Sequence, residues 1–180
     1  MVLGPKLLLE LVKKKKLVEN LSERELTNPE GAGFDLRLGE AYKITGKKAF
    51  LGITERHTAE VKLVKKFDSK KASSLVLKPG DFYLVKTVED VNMPDNLTAT
   101  ITPRSTTYRS GLMLRAGNVP PGYCGGLTFG LANVGPVTVT IEMGSRFVHI
   151  QFSEVAGKGA MYRGQWQGGR VTTTKKEKQV

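Results

Sequence analysis

"SLVLKPGDFYLVKTVEDV", residues 74–91, is two runs of apolar and polar residues joined by a Pro-Gly pair. It reads as strand, tight turn, strand: Pro79 fixes one turn dihedral, and Gly80 reaches conformations closed to other residues. The same grammar extends both ways. "FDLRLGEAYKI" (34–44) alternates around a glycine, "LTATITP" (97–103) alternates cleanly, and "RFVHIQFSEV" (146–155) is a further run of this kind. "LTFGLANVGPVTVTI" (127–141) is strand, Asn-Val-Gly-Pro break, strand. Short strands cut by glycine and proline at intervals of about ten residues predict an all-β sandwich or barrel.

Before the first strand the period changes. "PKLLLELVKKKKLVE" (5–19) predicts a helix, with Pro5 in its first turn. Leu7, Leu8, Leu11 and Val12 form one apolar stripe. "LSEREL" (21–26) predicts a second, short helix capped by Ser22, with Glu25 completing a capping box. After Ala156 the apolar pattern fades into a glycine-rich stretch carrying Tyr162 and Trp166, then "KKEK" (175–178). The expected organisation is one domain over 1–180, with an N-terminal helical segment (1–20) and a mobile C-terminal arm and basic tail (156–180). Two aromatics in such an arm call for something to cover, either a ligand or a neighbouring subunit.

Composition excludes several classes. The single cysteine, Cys124, permits no internal disulfide, and with only His57 and His149 beside it no zinc site is expected. The N-terminus has its apolar residues ahead of its lysines, the reverse of a secretory signal, so a cytoplasmic location without a membrane span is expected. The formal net charge is +11, much of it in Lys13–Lys16, in "KLVKKFDSKK" (62–71) and in the tail. These runs read as solvated surface. A nucleic-acid partner is not expected, because aromatic residues are not interleaved with the lysines, Phe67 excepted.

The chemistry-bearing stretch is "PRSTTYRSGL" (103–112). Pro103 cannot donate to a ladder, so strand pairing should stop there. Arg104 and Arg109 offer planar forks suited to phosphate oxygens, and Ser105, Thr106 and Thr107 add hydroxyls. A phosphate cradle on one helical turn and a polar surface turn both fit this composition. A second dense region is "NVPPGYCGGLTFGLANVG" (118–135), a rigid turn followed by backbone bare enough for a ligand to approach closely.

Taken in order, "GAGFDLRLG" (31–39), "ITPRSTTYRSGL", "VPPGYCGGLTFGLANVG", "IEMGSRFVHIQF" and "YRGQWQGG" resemble the successive motifs of the dCTP deaminase and dUTPase superfamily, nearer to the deaminases. The resemblance spans about residues 3–170. It implies a distorted jelly-roll or β-barrel of the dUTPase-like type, assembled as a homotrimer with nucleotide sites between subunits. It further implies that Arg104, Ser105, Thr106 and Arg109 meet a triphosphate, with Ser105 and Arg109 also supporting catalysis. Asn118, Val119, Thr128 and Phe129 would line the base and sugar pocket. Tyr162 and Gln165 would belong to an arm closing over the phosphates, which a magnesium ion bridges.

Two departures stand out. The glutamate that serves deaminases as a base, without zinc, falls at Gly130, and the aspartate that serves dUTPases falls at Pro120. Neither residue can move a proton. Asp35 and Glu142 are the carboxylates available as substitutes, with Asp35 also suited to fixing the turn of the first motif. Three activities are therefore expected to compete: conversion of dCTP to dUTP, release of dUMP and pyrophosphate from dUTP, and deoxynucleotide binding without turnover.

Overall fold

The computed structural model describes residues 1–157, 159–173 and 175–178. Helix α1 (Pro5–Lys15) leads into strand β1 (Val18–Glu19), helix α2 (Glu23–Thr27) and the long strand β2 (Phe34–Ile44). Strands β3 (Phe50–Leu51), β4 (Glu55–His57), β5 (Val61–Lys66) and β6 (Ser74–Leu77) precede β7 (Phe82–Asn92) and β8 (Leu97–Pro103). Helix α3 (Ser105–Arg109) is followed by β9 (Leu112–Arg115), β10 (Cys124–Asn133), β11 (Val139–Glu142), β12 (Arg146–Glu154) and β13 (Glu177–Lys178).

The main sheet runs β8-β12-β2-β7-β10-β9, with β1 on β7 and β5 on β2. Strand β2 turns the corner. Its first residues, Phe34 to Arg37, pair with β12, and from Leu38 onward it lies between β7 and β5. The switch falls at a bulge beside Gly39, where a Cβ would stand 2.7 Å from the Thr87 carbonyl oxygen. The all-β fold read from the alternation is thus a nearly closed, barrel-like sheet. Phe34, Leu36, Leu38, Val85, Leu131, Val148, Ile150 and Phe152 are completely buried inside it. Each such side chain stabilises the fold by about 1.5–3 kcal/mol.

The two strands flanking Pro79-Gly80 do not pair with each other. β6 pairs with β11, whereas β7 sits in the main sheet, and the Asn-Val-Gly-Pro break likewise hands the chain from β10 to β11. Buried Asn133 ties the two crossovers together. Its Nδ2 donates to the Leu77 and Val137 carbonyls at 2.9 and 2.8 Å, and its Oδ1 accepts from the Gly135 amide. An Asn133→Ala variant strands the buried Leu77 carbonyl and removes the partner of the Val137 carbonyl and the Gly135 amide, at a cost of about 2–3 kcal/mol. Calorimetry should show a melting temperature lower by roughly 4–12 °C; a shift within about 1 °C would remove Asn133 from this role.

Helix α1 ends four residues before the predicted Glu19. Lys16 takes a left-handed conformation (φ 53°), and its amide donates to Val12. Continuing the helix would pull Leu17 and Val18, both buried, away from the core and from the pairing of Val18 with Val91. Lys13, Lys14 and Lys15 fall in the last turn, where the helix dipole favours cations. The apolar stripe is also rotated: Leu8 is buried and Leu11 and Val12 pack on the core, but Leu7 is exposed. On α2 the capping box does not form, because Ser22 makes no side-chain cap bond and the Glu25 carboxylate turns inward. Among the described residues, no helix is long and apolar enough to cross a membrane.

The C-terminal segment lies folded back on its own chain. β13 joins β4 and β3 in a three-stranded sheet, and Thr172 and Thr173 exchange hydrogen bonds with Thr58. The stretch 45–60 carries no alternation long enough to have announced this sheet.

Candidate functional site

The arm and the Pro-Pro-Gly turn enclose a cavity of about 460 Å3. Strand β10 supplies Leu127, Thr128 and Phe129, the loop before it supplies Asn118, Val119 and Pro120, and the arm supplies Tyr162, Trp166 and Arg170. Tyr123 and Tyr162 meet edge to face at 5.4 Å. The Tyr123 hydroxyl donates to the Gly126 carbonyl at 2.8 Å, and burial, with Tyr162 next, pushes this phenol up to about 12. Gln167 clamps the turn, accepting from the Cys124 amide and donating to the Gly122 carbonyl. Gly125, with φ +114°, lets the arm touch backbone to backbone: a Cβ there would lie 2.5 Å from the Gly169 nitrogen.

The expected Asn118, Val119, Thr128, Phe129 and Tyr162 all line this cavity. The Thr128 hydroxyl is buried without a hydrogen-bond partner, so a polar group of a ligand would satisfy it. Gln165 is not in the wall; its Nε2 donates to Glu177 at 2.8 Å. Sequence reasoning missed Thr58 and Arg170, which lie outside the quoted motifs, and Leu84, which it placed on a strand without a role in the site. Among the described lining residues Arg170 is the one that is charged, and none is a carboxylate or a histidine.

Gly130 pairs with Leu84 on one side and Arg115 on the other. A Cβ at this position would meet the ring of Phe82 at 3.1 Å and the Arg115 Cβ at 3.7 Å. The aromatic ring covers the space into which a side chain would project. Pro120 lines the cavity but is equally inert. Neither substitute carboxylate reaches the cavity: Glu142 is exposed on β11 opposite Ser74, and Asp35 is engaged elsewhere.

That elsewhere is a second polar centre. Buried Asp35 on β2 is paired with Arg104, with Arg146 at 3.0 Å, with Arg24 at 3.6 Å and with His149 Nδ1 at 3.0 Å. Glu25, fully buried, accepts from the Asp35 amide at 3.0 Å and pairs with Arg24. Arg37 is bound to the buried Glu89 at 2.7 Å. The four arginines line a cavity of about 550 Å3, together with Ser22, whose buried hydroxyl has no partner. The Asp35 carboxylate thus fixes the first motif, as one reading of the sequence expected.

Helix α3 forms the expected single turn, next to this centre and not to the first cavity, which it does not line. Ser105, Thr106 and Arg109 are exposed. Thr107 is not available to a ligand, because its hydroxyl is buried and donates to the Phe147 carbonyl. Arg104 is held by Asp35 rather than pointing freely outward.

Burial pushes the His149 imidazole below its ordinary value, and Arg104 acts in the same direction against Glu25 and Glu30. The folded state therefore resists protonating His149. Its contribution to stability is complete above the unfolded value of about 6.5 and is lost as pH falls toward the depressed folded value. A His149→Gln variant should remove that part of the pH dependence. Melting curves of the two proteins between pH 7.5 and 5 should converge as acid is added; curves a constant distance apart would contradict it.

A family model described as dCTP deaminase-like matches residues 2–155, and the chain belongs to that family. The dCTP deaminase of Thermococcus kodakarensis is 30% identical over 168 residues, covering 93% of this chain and 95% of that one. The dUMP-forming dCTP deaminase of Dictyoglomus turgidum is 31% identical over 157 residues, covering 84% and 79%. Among solved structures, the dCTP deaminase of Agrobacterium tumefaciens superposes with a TM-score of 0.64 at 20% identity, over 86% of this chain and 48% of that one. A mutant dUTPase of phage phi11 of S. aureus gives a TM-score of 0.51 at 16% identity, covering 82% and 95%.

Proposed function

We propose that the protein binds a pyrimidine deoxynucleoside triphosphate, with base and sugar in the arm-covered cavity, and that it does so without ordinary turnover. The observation that carries this is the pairing of an aromatic-walled cavity and an unsatisfied Thr128 hydroxyl with the absence of any carboxylate among the described lining residues. Family membership supplies the ligand class, through relatives named as dCTP deaminases.

The phosphates would be met by α3 of a neighbouring copy, since α3 and the cavity do not share a wall within one chain. An outward apolar face beside the cavity supports such an assembly. Leu63, Tyr42, Leu84 and Gly130 lie in one row across β5, β2, β7 and β10, flanked by the exposed Phe82, Met113 and Ile44. A homotrimer is the form the family resemblance suggests. The described residues hold no group of three His, Cys, Asp or Glu side chains suited to a metal, so magnesium would enter on the phosphates.

The second reading is deamination of dCTP to dUTP, favoured by identity of about a third to named deaminases; it needs a carboxylate from a neighbouring copy. Release of dUMP and pyrophosphate is the third. Chromatography after incubation with magnesium and each deoxynucleotide separates a changed base, a changed phosphate chain and no change. The expected result is no product, together with a melting temperature raised by dCTP or dUTP; a ligand at 100 times its Kd adds about 2.7 kcal/mol. A melting point unmoved by every deoxynucleotide would refute binding. Arg109→Ala and Ser105→Ala should each cost roughly 1.5–3 kcal/mol of affinity in calorimetry. Undiminished affinity in both would remove α3 from the site.

A further inference from the structure

The three-stranded sheet builds a third cavity, of about 400 Å3, outside the stretch matched by the family model on its tail side. Lys47 and Lys48 enter it from the loop between β2 and β3, and Lys175 and Lys176 from the tail. Glu60 is the one carboxylate in its wall. The two lysine pairs are far apart in sequence. Pairing of Glu177 with Arg56 and Lys178 with Glu55, with the Thr58 to Thr172 and Thr173 hydrogen bonds, brings them to one place.

That arrangement works against folding. Lysines in a run spread into water at little cost, but here the backbone brings two exposed pairs to the wall of one hollow, where like charges repel. None of the four takes part in an ion pair among the described residues. Two further features shape the hollow. The His57 ring lines it, and its Nδ1 is buried without a partner. Phe50 stacks on that ring at 6.3 Å, and Lys176 Nζ lies over the Phe50 ring, 5.0 Å from its centroid, so two of the polar groups are held in position.

We propose that this lysine pocket is a polyphosphate-binding site. Compact ammonium groups are suited to phosphate oxygens, and an imidazole nitrogen with no partner can donate to one. Bound polyanion would offset the repulsion and fasten the tail to the loop between β2 and β3. Thr58 lines this pocket and the main cavity alike, so the polyphosphate is either a free inorganic chain or the tail of a nucleotide seated next door.

Inorganic tripolyphosphate is the probe, titrated calorimetrically into the intact protein, its Lys47→Ala/Lys48→Ala and Lys175→Ala/Lys176→Ala variants, and Arg104→Ala. The expected result is a loss of roughly tenfold or more in affinity in each lysine variant and little change in Arg104→Ala. His57→Phe should weaken binding as well, without touching net surface charge. Unchanged affinity in both lysine variants, or a loss confined to Arg104→Ala, overturns the site. So does equal weakening by all variants, which would mean diffuse attraction, and so does a single-stranded oligonucleotide that binds the lysine face more tightly than tripolyphosphate. Adding dCTP identifies the source: competition with tripolyphosphate marks a nucleotide tail, and simultaneous binding marks a separate chain. Because the probe carries no base, its failure leaves the nucleotide reading of the main cavity standing, and failure of that reading leaves the pocket standing.

Discussion

Replacing Asp35 by alanine is expected to lower the melting temperature by roughly 6–20 °C, the effect of about 3–5 kcal/mol on a chain of this size. The carboxylate is 3% exposed and is shared by Arg24, Arg104, Arg146 and His149. Without it, guanidinium groups from three separate segments face one another, with Glu25 the nearest buried anion. Removing one partner of a buried charged network costs far more than the network contributes net, because the remaining charges stay desolvated. Scanning calorimetry provides the check. A melting temperature within about 2 °C of the parent would mean that water already screens these arginines.

The second large effect is expected at Gly125→Val. A β-branched residue at φ +114° carries backbone strain of about 1–3 kcal/mol, and its Cβ would sit 2.5 Å from the Gly169 nitrogen. The neighbour in that clash is backbone, which cannot swing aside. The arm should therefore leave the turn while the main sheet stays folded. Trp166, the single tryptophan, lies in the cavity wall and reports the change directly. Its emission should shift to the red, and trypsin should cut at Arg163 and Arg170 much faster than in the parent. Parental fluorescence and parental cleavage rates together would show that the arm does not depend on this contact.

The strands were legible where one face is buried and the other wet. Leu97–Pro103 matches its quoted run residue for residue because alternation there reflects the core on one side, and Phe34–Ile44 does so because its second face is polar, although Asp35 on that face is itself buried. What alternation could not disclose is partnership. Nothing in "SLVLKPGDFYLVKTVEDV" says that its halves enter different sheets; that is decided by Asn133, more than forty residues on, binding the Leu77 carbonyl. The helix boundary failed for a similar reason, since tertiary burial of Leu17 overrode a lysine-rich sequence content to remain helical.

The cavity was readable through the resemblance at Asn118, Val119, Thr128, Phe129 and Tyr162, which lie in or beside the quoted motifs. Thr58 was not, and Leu84 was legible as a strand residue but not as part of the wall, because that role depends on position in space. The Asp35 cluster gathers residues 24 to 149, and although Asp35 and Arg104 each stood out locally, nothing in the sequence announced that they meet. Arg104 had a visible chemistry and two open roles, and its ion pair with Asp35 shows that a guanidinium near a phosphate motif can be structural at the same time.

The Phe82 ring lying over Gly130 has a bearing on any attempt to place an acid at that position. A glutamate introduced alone at 130 would bring its Cβ to 3.1 Å from the ring, so the aromatic side chain, 43% exposed, has to yield by a few tenths of an ångström before the acid is seated. The two positions are therefore coupled: a double-mutant cycle at 82 and 130 should be non-additive, with the acid better tolerated beside a smaller neighbour.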